Sequence, residues 1–68
     1  MYLKNLVKLR QRKKWTQEKL CVESEVKYNT LIKIENDRIK DPRISTVIKL
    51  AKALNVSVDV LIGRGKDK

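Results

Sequence analysis

The stretch that decides the fold is residues 16–36, TQEKLCVESEVKYNTLIKIEN. It contains two short segments with apolar residues at helical spacing. A break of three or four residues around Ser24, Glu25 and Val26 separates them. The stretch therefore predicts two short helices joined by a tight turn.

Two helices are expected in the first third of the chain. Apolar residues recur at helical spacing through residues 3–13, which predicts a first helix. Thr16 is expected to be the N-cap of a second helix, at about residues 17–23. Trp15 and Leu20 flank this cap at the spacing of a hydrophobic staple, which would fix the angle at which the chain enters the helix.

The rest of the chain predicts three further helices. Residues 27–34 form the third, and a charged loop over residues 36–43 contains a proline that breaks the pattern. Ser45 is expected to cap the fourth helix, which closes at Asn55, and Ser57 to cap a short fifth helix. The residues expected to face inward on these three helices are Val26, Leu31, Ile34, Val47, Ile48, Leu50, Ala51, Leu54, Val60 and Leu61.

These patterns predict an all-α fold with five helices in one compact domain. The chain has 68 residues, which is room for one small core. We assign the domain to residues 1–63, with a helix-turn-helix at about residues 16–36, and a polar tail to residues 64–68. The chain has no internal repeat, and no room for a second domain that would sense a ligand.

The charge of the chain favours a polyanionic partner. Seventeen basic and eight acidic residues give a formal net charge of +9. Residues 1–15 carry six basic and no acidic side chains, residues 16–43 carry six of each, and residues 44–68 carry five basic and two acidic. The central stretch is thus electrically balanced, and any binding surface on it depends on how its basic residues are arranged in space.

Composition argues against several classes of protein. Cys21 has no partner for a disulfide, and the chain has no His, so the usual zinc sites cannot be built and no metal or cofactor is expected. The chain also lacks a phosphate-binding glycine loop and paired carboxylates, so we do not expect an enzyme. No apolar run approaches the roughly 18 residues that cross a bilayer, so we expect a soluble, cytoplasmic protein without membrane contact.

The polar side of the third helix is suited to contact DNA. Asn29 can bond adenine N6 and N7, Lys33 can reach guanine O6 or N7, and Tyr28 can touch a thymine methyl group or a phosphate. These three residues are the predicted base readers. Predicted phosphate contacts near them are Lys27, Thr30, Arg38, Lys40 and Arg43.

The order of residues resembles the phage repressor and Cro family of helix-turn-helix domains, whose pattern is close to T-Q-E-x-L-A-x-x-x-G-V-x-x-x-x-I-x-x-x-E-N-G. Residues 42–61, PRISTVIKLAKALNVSVDVL, also resemble the last two helices of that family, so the likeness covers about residues 3–62. The fold it implies is a compact, five-helix repressor-like domain. At the positions that the first pattern specifies, this chain has Thr16, Gln17, Glu18, Leu20, Cys21, Val26, Leu31, Glu35 and Asn36. Cys21 and Leu31 stand where the pattern has Ala and Ile.

Three departures from the family pattern bear on the turn and on the ends of the third helix. Glu25 stands where the family has a glycine in the turn, which costs about 1 kcal/mol if the position needs a positive φ. Lys27 replaces the Ser or Thr that caps the third helix, and Asp37 replaces a glycine after Asn36. None of the three removes a binding group.

The resemblance implies roles for further residues. The family uses the glutamine that matches Gln17 to contact a phosphate at the start of the second helix. Arg10 and Glu35, at the apolar edges of their helices, match positions that the family pairs as a structural ion pair. Family members often dimerise through the last helix, where Val58 and Ile62 lie one turn apart.

We therefore expect a sequence-specific regulator of transcription, most simply a repressor that binds a palindromic operator on double-stranded DNA as a homodimer. No small-molecule ligand is expected. An antitoxin-type or other interaction protein that binds a protein partner as well as DNA is the first alternative. A cationic peptide that folds only on anionic lipid is another, but the capped, multi-helix pattern predicts folding in plain buffer.

Overall fold

The computed structural model describes residues 3–39 and 41–63. Within this part of the chain it contains five helices and no strand, which confirms the all-α, five-helix fold. The helices are α1 (Leu6–Arg12), α2 (Gln17–Ser24), α3 (Tyr28–Glu35), α4 (Ile44–Leu54) and α5 (Val58–Ile62).

The predicted start of the first helix at residue 3 was wrong. The helix begins at Leu6, because Asn5 has φ −99° and ψ 3°, outside the α-helical region, and is its N-cap. The main-chain nitrogen of Asn5 donates to the carbonyl of Leu61 at 3.1 Å, and its side-chain amide donates to the carbonyl of Val60 at 2.7 Å. Residues 3–5 therefore form a turn fixed to α5 rather than a helical turn.

The predicted N-cap of the second helix is confirmed, since Thr16 Oγ1 accepts a hydrogen bond from the main-chain nitrogen of Lys19 at 3.1 Å. The third helix begins one residue later than expected, at Tyr28. Lys27 is its N-cap and makes no side-chain capping bond, as the missing hydroxyl implied.

The predicted cap of the fourth helix at Ser45 was wrong. Arg43 is the N-cap, in an extended conformation, and its carbonyl accepts from the main-chain nitrogen of Val47 at 3.1 Å. The helix therefore begins at Ile44, two residues after Pro42, and Ser45 lies within its first turn. The other end was predicted correctly, because Asn55 closes the helix in the left-handed region with φ 59°.

The cap of the last helix is also confirmed, since Ser57 Oγ accepts from the main-chain nitrogen of Val60 at 3.1 Å. The helix ends at Gly63, which adopts φ +85°. A Cβ at that position would lie 3.1 Å from the side chain of Lys4, so the absence of a side chain suits both the backbone and its neighbour.

One continuous core lies between the helices. Ile48 was expected in it, but this side chain is 41% exposed. It lies on the flank of α4, about 100° around the helix from Val47, which is 1% exposed. The buried apolar residues are Leu3, Leu6, Leu9, Leu20, Val26, Leu31, Ile34, Val47, Leu50, Ala51, Leu54 and Leu61.

The packing order of the helices leaves one side of α3 uncovered. Helix α2 packs against both α3 and α4, while α4 packs against α5 and α5 against α1. Leu31 and Ile34 attach α3 to the core. Among residues 3–39 and 41–63, no helix has the length and hydrophobicity needed to cross a membrane.

Candidate nucleic-acid interface

The turn between α2 and α3 is fixed by Ser24 and Glu25. Ser24 is 4% exposed. Its hydroxyl donates to the carbonyl of Leu20 at 2.6 Å and accepts from the main-chain nitrogen of Val26 at 3.4 Å. Glu25 lies in the left-handed region, with φ 60° and ψ 29°. Because Val26 then enters the core, both ends of the turn are held and the direction of α3 relative to α2 is set.

Glu25→Gly is expected to raise the free energy of unfolding by about 1 kcal/mol, because glycine adopts φ 60° without the steric cost of a Cβ. Urea unfolding measures the change. Glu25→Ala is the matched control, since it removes the carboxylate and keeps the Cβ, and it should give no such gain. An equal gain in both variants would show that charge, not backbone strain, is the source.

The outer side of α3 presents the three predicted base readers. Tyr28 is 45% exposed, and Asn29 and Lys33 are also exposed. Asn29 and Lys33 are four residues apart, so their side chains lie on the same side of the helix. The opposite side is held in the core by Leu31 and Ile34, which are 0% and 1% exposed. Helical geometry and burial thus direct these polar groups away from the protein.

Arg10 and Glu35 form the ion pair that the sequence led us to expect. Arg10 Nε donates to Glu35 Oε2 at 2.8 Å, and Arg10 Nη2 donates to Glu35 Oε1 at 3.1 Å. The two side chains are 12% and 5% exposed. A third bond, from Arg10 Nη1 to the carbonyl of Trp15 at 2.9 Å, connects the pair to the segment before α2. The pair therefore ties α1 to the end of α3.

Gln17 belongs to the same network. Its amide nitrogen donates to Glu35 Oε1 at 2.8 Å, so its side chain joins the start of α2 to the end of α3. This bond was not foreseen from the sequence, because the two residues lie 18 positions apart. A phosphate contact from Gln17 stays a prediction.

Three of the predicted phosphate-binding residues line one open groove of about 540 Å³, between the starts of α3 and α4. They are Lys27, Thr30 and Arg43. Glu25 and Asp41 line the same groove, so it contains both signs of charge. This mixture agrees with the balanced charge of residues 16–43. Binding of a polyanion there depends on where the basic side chains lie rather than on the net charge.

Two further residues, Arg38 and Lys40, were predicted to contact phosphate, and the structure describes one of them. Arg38 is exposed just after α3, whereas Lys40 lies outside the described residues. Lys49, which was not among the predicted DNA contacts, lines the groove described above and also a neighbouring groove beside α2. Its position on the side of α4 away from the core was the signal that could have identified it.

The predicted dimer residues keep part of their surface exposed. Val58 and Ile62 are half-buried, and both pack against the core. More exposed apolar surface lies on α4, where Ile44 is 63% and Ile48 is 41% exposed. These two isoleucines are four residues apart and therefore share one side of the helix.

The surroundings of Trp15 and Cys21 fit structural roles for both residues. Trp15 is half-buried against the core, with Lys13 Nζ at 5.1 Å from its ring centroid. Burial raises the pKa of the Cys21 thiol, and the carboxylates of Glu18 and Glu35 raise it further. The thiol is therefore neutral at pH 7, and the residue behaves as a small hydrophobe rather than a reactive group.

A core of five helices with a fixed turn between α2 and α3, and an exposed polar side on α3, defines a helix-turn-helix domain. A family model for Helix-turn-helix matches residues 6–61. The chain therefore belongs to this family, in its Cro/C1-type branch, whose members are DNA-binding regulators of transcription. Searches of curated proteins and of solved structures gave no significant match.

Proposed function

We propose that this chain is a sequence-specific repressor that binds a palindromic operator as a homodimer and blocks transcription by occupying the promoter. The observation that carries the proposal is the outer side of α3, where Tyr28, Asn29 and Lys33 are exposed on a helix anchored in the core. The proposal places the protein in the cytoplasm and assigns it no catalytic step, cofactor or small-molecule ligand.

The three exposed residues of α3 have complementary chemistry for the major groove. Asn29 offers an amide that can both donate to and accept from an adenine edge. Lys33 donates to guanine O6 or N7, and Tyr28 touches a thymine methyl group or a phosphate. In helix-turn-helix proteins the first residues of the recognition helix face the bases, and these three lie within the first six residues of α3.

Phosphate contacts on both sides of α3 would hold it in the groove. Lys27, Thr30 and Arg43 border the groove next to its start, and Arg38 follows its end. Lys40, two positions after Arg38 in the sequence, and Gln17, at the start of α2, complete the proposed set. The net charge of +9 supports association with a polyanion at long range.

The affinity for DNA is expected to fall steeply with salt. If about five phosphates are contacted per monomer, a plot of log affinity against log salt concentration should have a slope of about −4 to −5 per monomer. Fluorescence anisotropy with a labelled duplex measures it. Arg38→Ala should make the slope shallower by about 1, while a slope near zero for the wild type would contradict the phosphate contacts.

The homodimer is proposed to form through α5, where Val58 and Ile62 retain partial exposure. A two-fold axis there would place two copies of α3 about 34 Å apart, in successive major grooves. Native mass measurement of the operator complex tests this. Two chains should bind a full palindrome together, without a one-chain complex at intermediate protein concentrations, and one chain on a saturated palindrome would contradict the dimer.

The alternative function is an interaction protein that binds a protein partner as well as DNA. The exposed pair Ile44 and Ile48 on α4 favours it, because neighbouring apolar side chains in water can mark an interaction surface. A protein that folds cooperatively in buffer yet selects no DNA sequence would support this alternative over the repressor.

A further inference from the structure

Ile32 is an aliphatic residue on α3 whose side chain is not part of the hydrophobic core. It is partly exposed and is absent from the partly buried apolar side chains that pack against the core. Tyr28 lies four residues before it, so the two side chains share one side of the helix. Tyr28 is itself 45% exposed. Together they form an apolar row along α3.

This apolar row runs beside the polar row formed by Asn29 and Lys33. Each polar residue follows an apolar one by a single position, which places the rows about 100° apart around the helix. Four residues of helix advance about 6 Å, which is close to the rise of two base pairs, at about 3.4 Å each. A helix lying along the major groove would thus present both rows to neighbouring base pairs.

The chemistry of the base edges decides what an isoleucine can recognise there. In the major groove the C5-methyl group of thymine is the apolar feature, and the other edges present hydrogen-bond donors and acceptors. Ile32 has no polar atom beyond its backbone, so it cannot satisfy a donor or an acceptor that it covers. Covering a methyl group, by contrast, removes apolar surface of both partners from water.

We infer that Ile32 is a specificity-determining residue, which contacts a thymine methyl group next to the base pairs read by Asn29 and Lys33. The inference rests on the proposed function, since it requires α3 to lie in the major groove of a preferred site. It adds a predicted thymine to that site, at a position where hydrogen bonding alone would not require one.

Replacing single thymines by deoxyuridine tests the inference, because this change removes only the C5-methyl group. On an operator obtained by selection, the wild type should lose about fourfold in affinity at one or two thymines, which is the worth of burying one carbon group. In Ile32→Ala these thymines and deoxyuridines should bind equally well.

Val22→Ala is the matched control, because Val22 is an aliphatic residue on α2 that is 71% exposed. This variant should keep the full penalty for deoxyuridine. Ile32→Gln keeps the length of the side chain and should also lose the discrimination, which guards against poor folding of the alanine variant. Thermal unfolding of each variant checks the fold.

Two negative outcomes are distinguishable. If the wild type selects an operator but every deoxyuridine penalty is as large in both Ile32 variants as in the wild type, Ile32 reads no methyl group and the proposed function stands. If the wild type selects no operator, the proposed function fails and the inference fails with it.

Discussion

Arg10→Ala is expected to lower the free energy of unfolding by about 3 to 5 kcal/mol. Glu35, whose side chain is 5% exposed, would lose both bonds from the guanidinium and keep the bond from Gln17. The carbonyl of Trp15 would lose the bond from Arg10 as well. A carboxylate that is out of water without its counter-charge is costly, and urea unfolding followed by circular dichroism measures the loss.

The exposed ion pair between Lys19 and Glu23 provides a control on the same domain. Lys19 Nζ lies 3.0 Å from Glu23 Oε2, and the side chains are 50% and 41% exposed. Lys19→Ala should cost at most about 0.5 kcal/mol, because water screens such pairs. Should Arg10→Ala cost no more than Lys19→Ala, the buried network does not hold α1 to α3.

A double variant separates the loss of the pair from the loss of one partner. Arg10→Met combined with Glu35→Leu should be less destabilised than Arg10→Ala alone, because no buried charge is left without a partner. The same cost in both would show that the packing of Arg10, rather than the charge of Glu35, accounts for the loss.

Asn29→Ala and Lys33→Ala are each expected to lower the affinity for the preferred operator by about 1 to 3 kcal/mol, or roughly 5- to 150-fold. Each variant should also relax the preference at one or two base positions, because the side chain that distinguishes the bases is gone. Repeating the selection of duplexes with each variant measures both effects.

Lys8→Ala is the charge-matched control for Lys33→Ala, since Lys8 is an exposed residue of α1. It should leave the preferred sequence unchanged. Arg38→Ala should weaken the binding of all duplexes alike. An unchanged base preference in both the Asn29 and Lys33 variants would mean that the outer side of α3 does not read the bases.

The parts of the fold that depend on neighbouring residues in sequence were predictable. Thr16 and Ser57 cap helices through bonds to residues three positions away, and Asn55 ends a helix by its own conformation. Asn5 was missed because its partners lie at the other end of the chain. Ile48 was wrongly expected in the core, because the spacing of apolar residues does not show how much of the surface of α4 the neighbouring helices cover.

The features of the candidate site also fall into two groups, those that follow from local sequence and those that depend on how the helices pack. The outward direction of Asn29 and Lys33 follows from the spacing of Leu31 and Ile34 on the same helix. The bond between Gln17 and Glu35 depends on how two helices meet, and the sequence contains no local signal for it. The grooves beside α4 likewise exist only once α2, α3 and α4 are packed together.

The most direct test of the proposed function is selection of bound duplexes from a random DNA library by the purified protein, at about 0.15 M salt, where weak non-specific binding is suppressed. A palindrome with half-sites about 10 base pairs apart is the predicted result. No enriched sequence, from a protein that unfolds cooperatively, would contradict a sequence-specific operator binder.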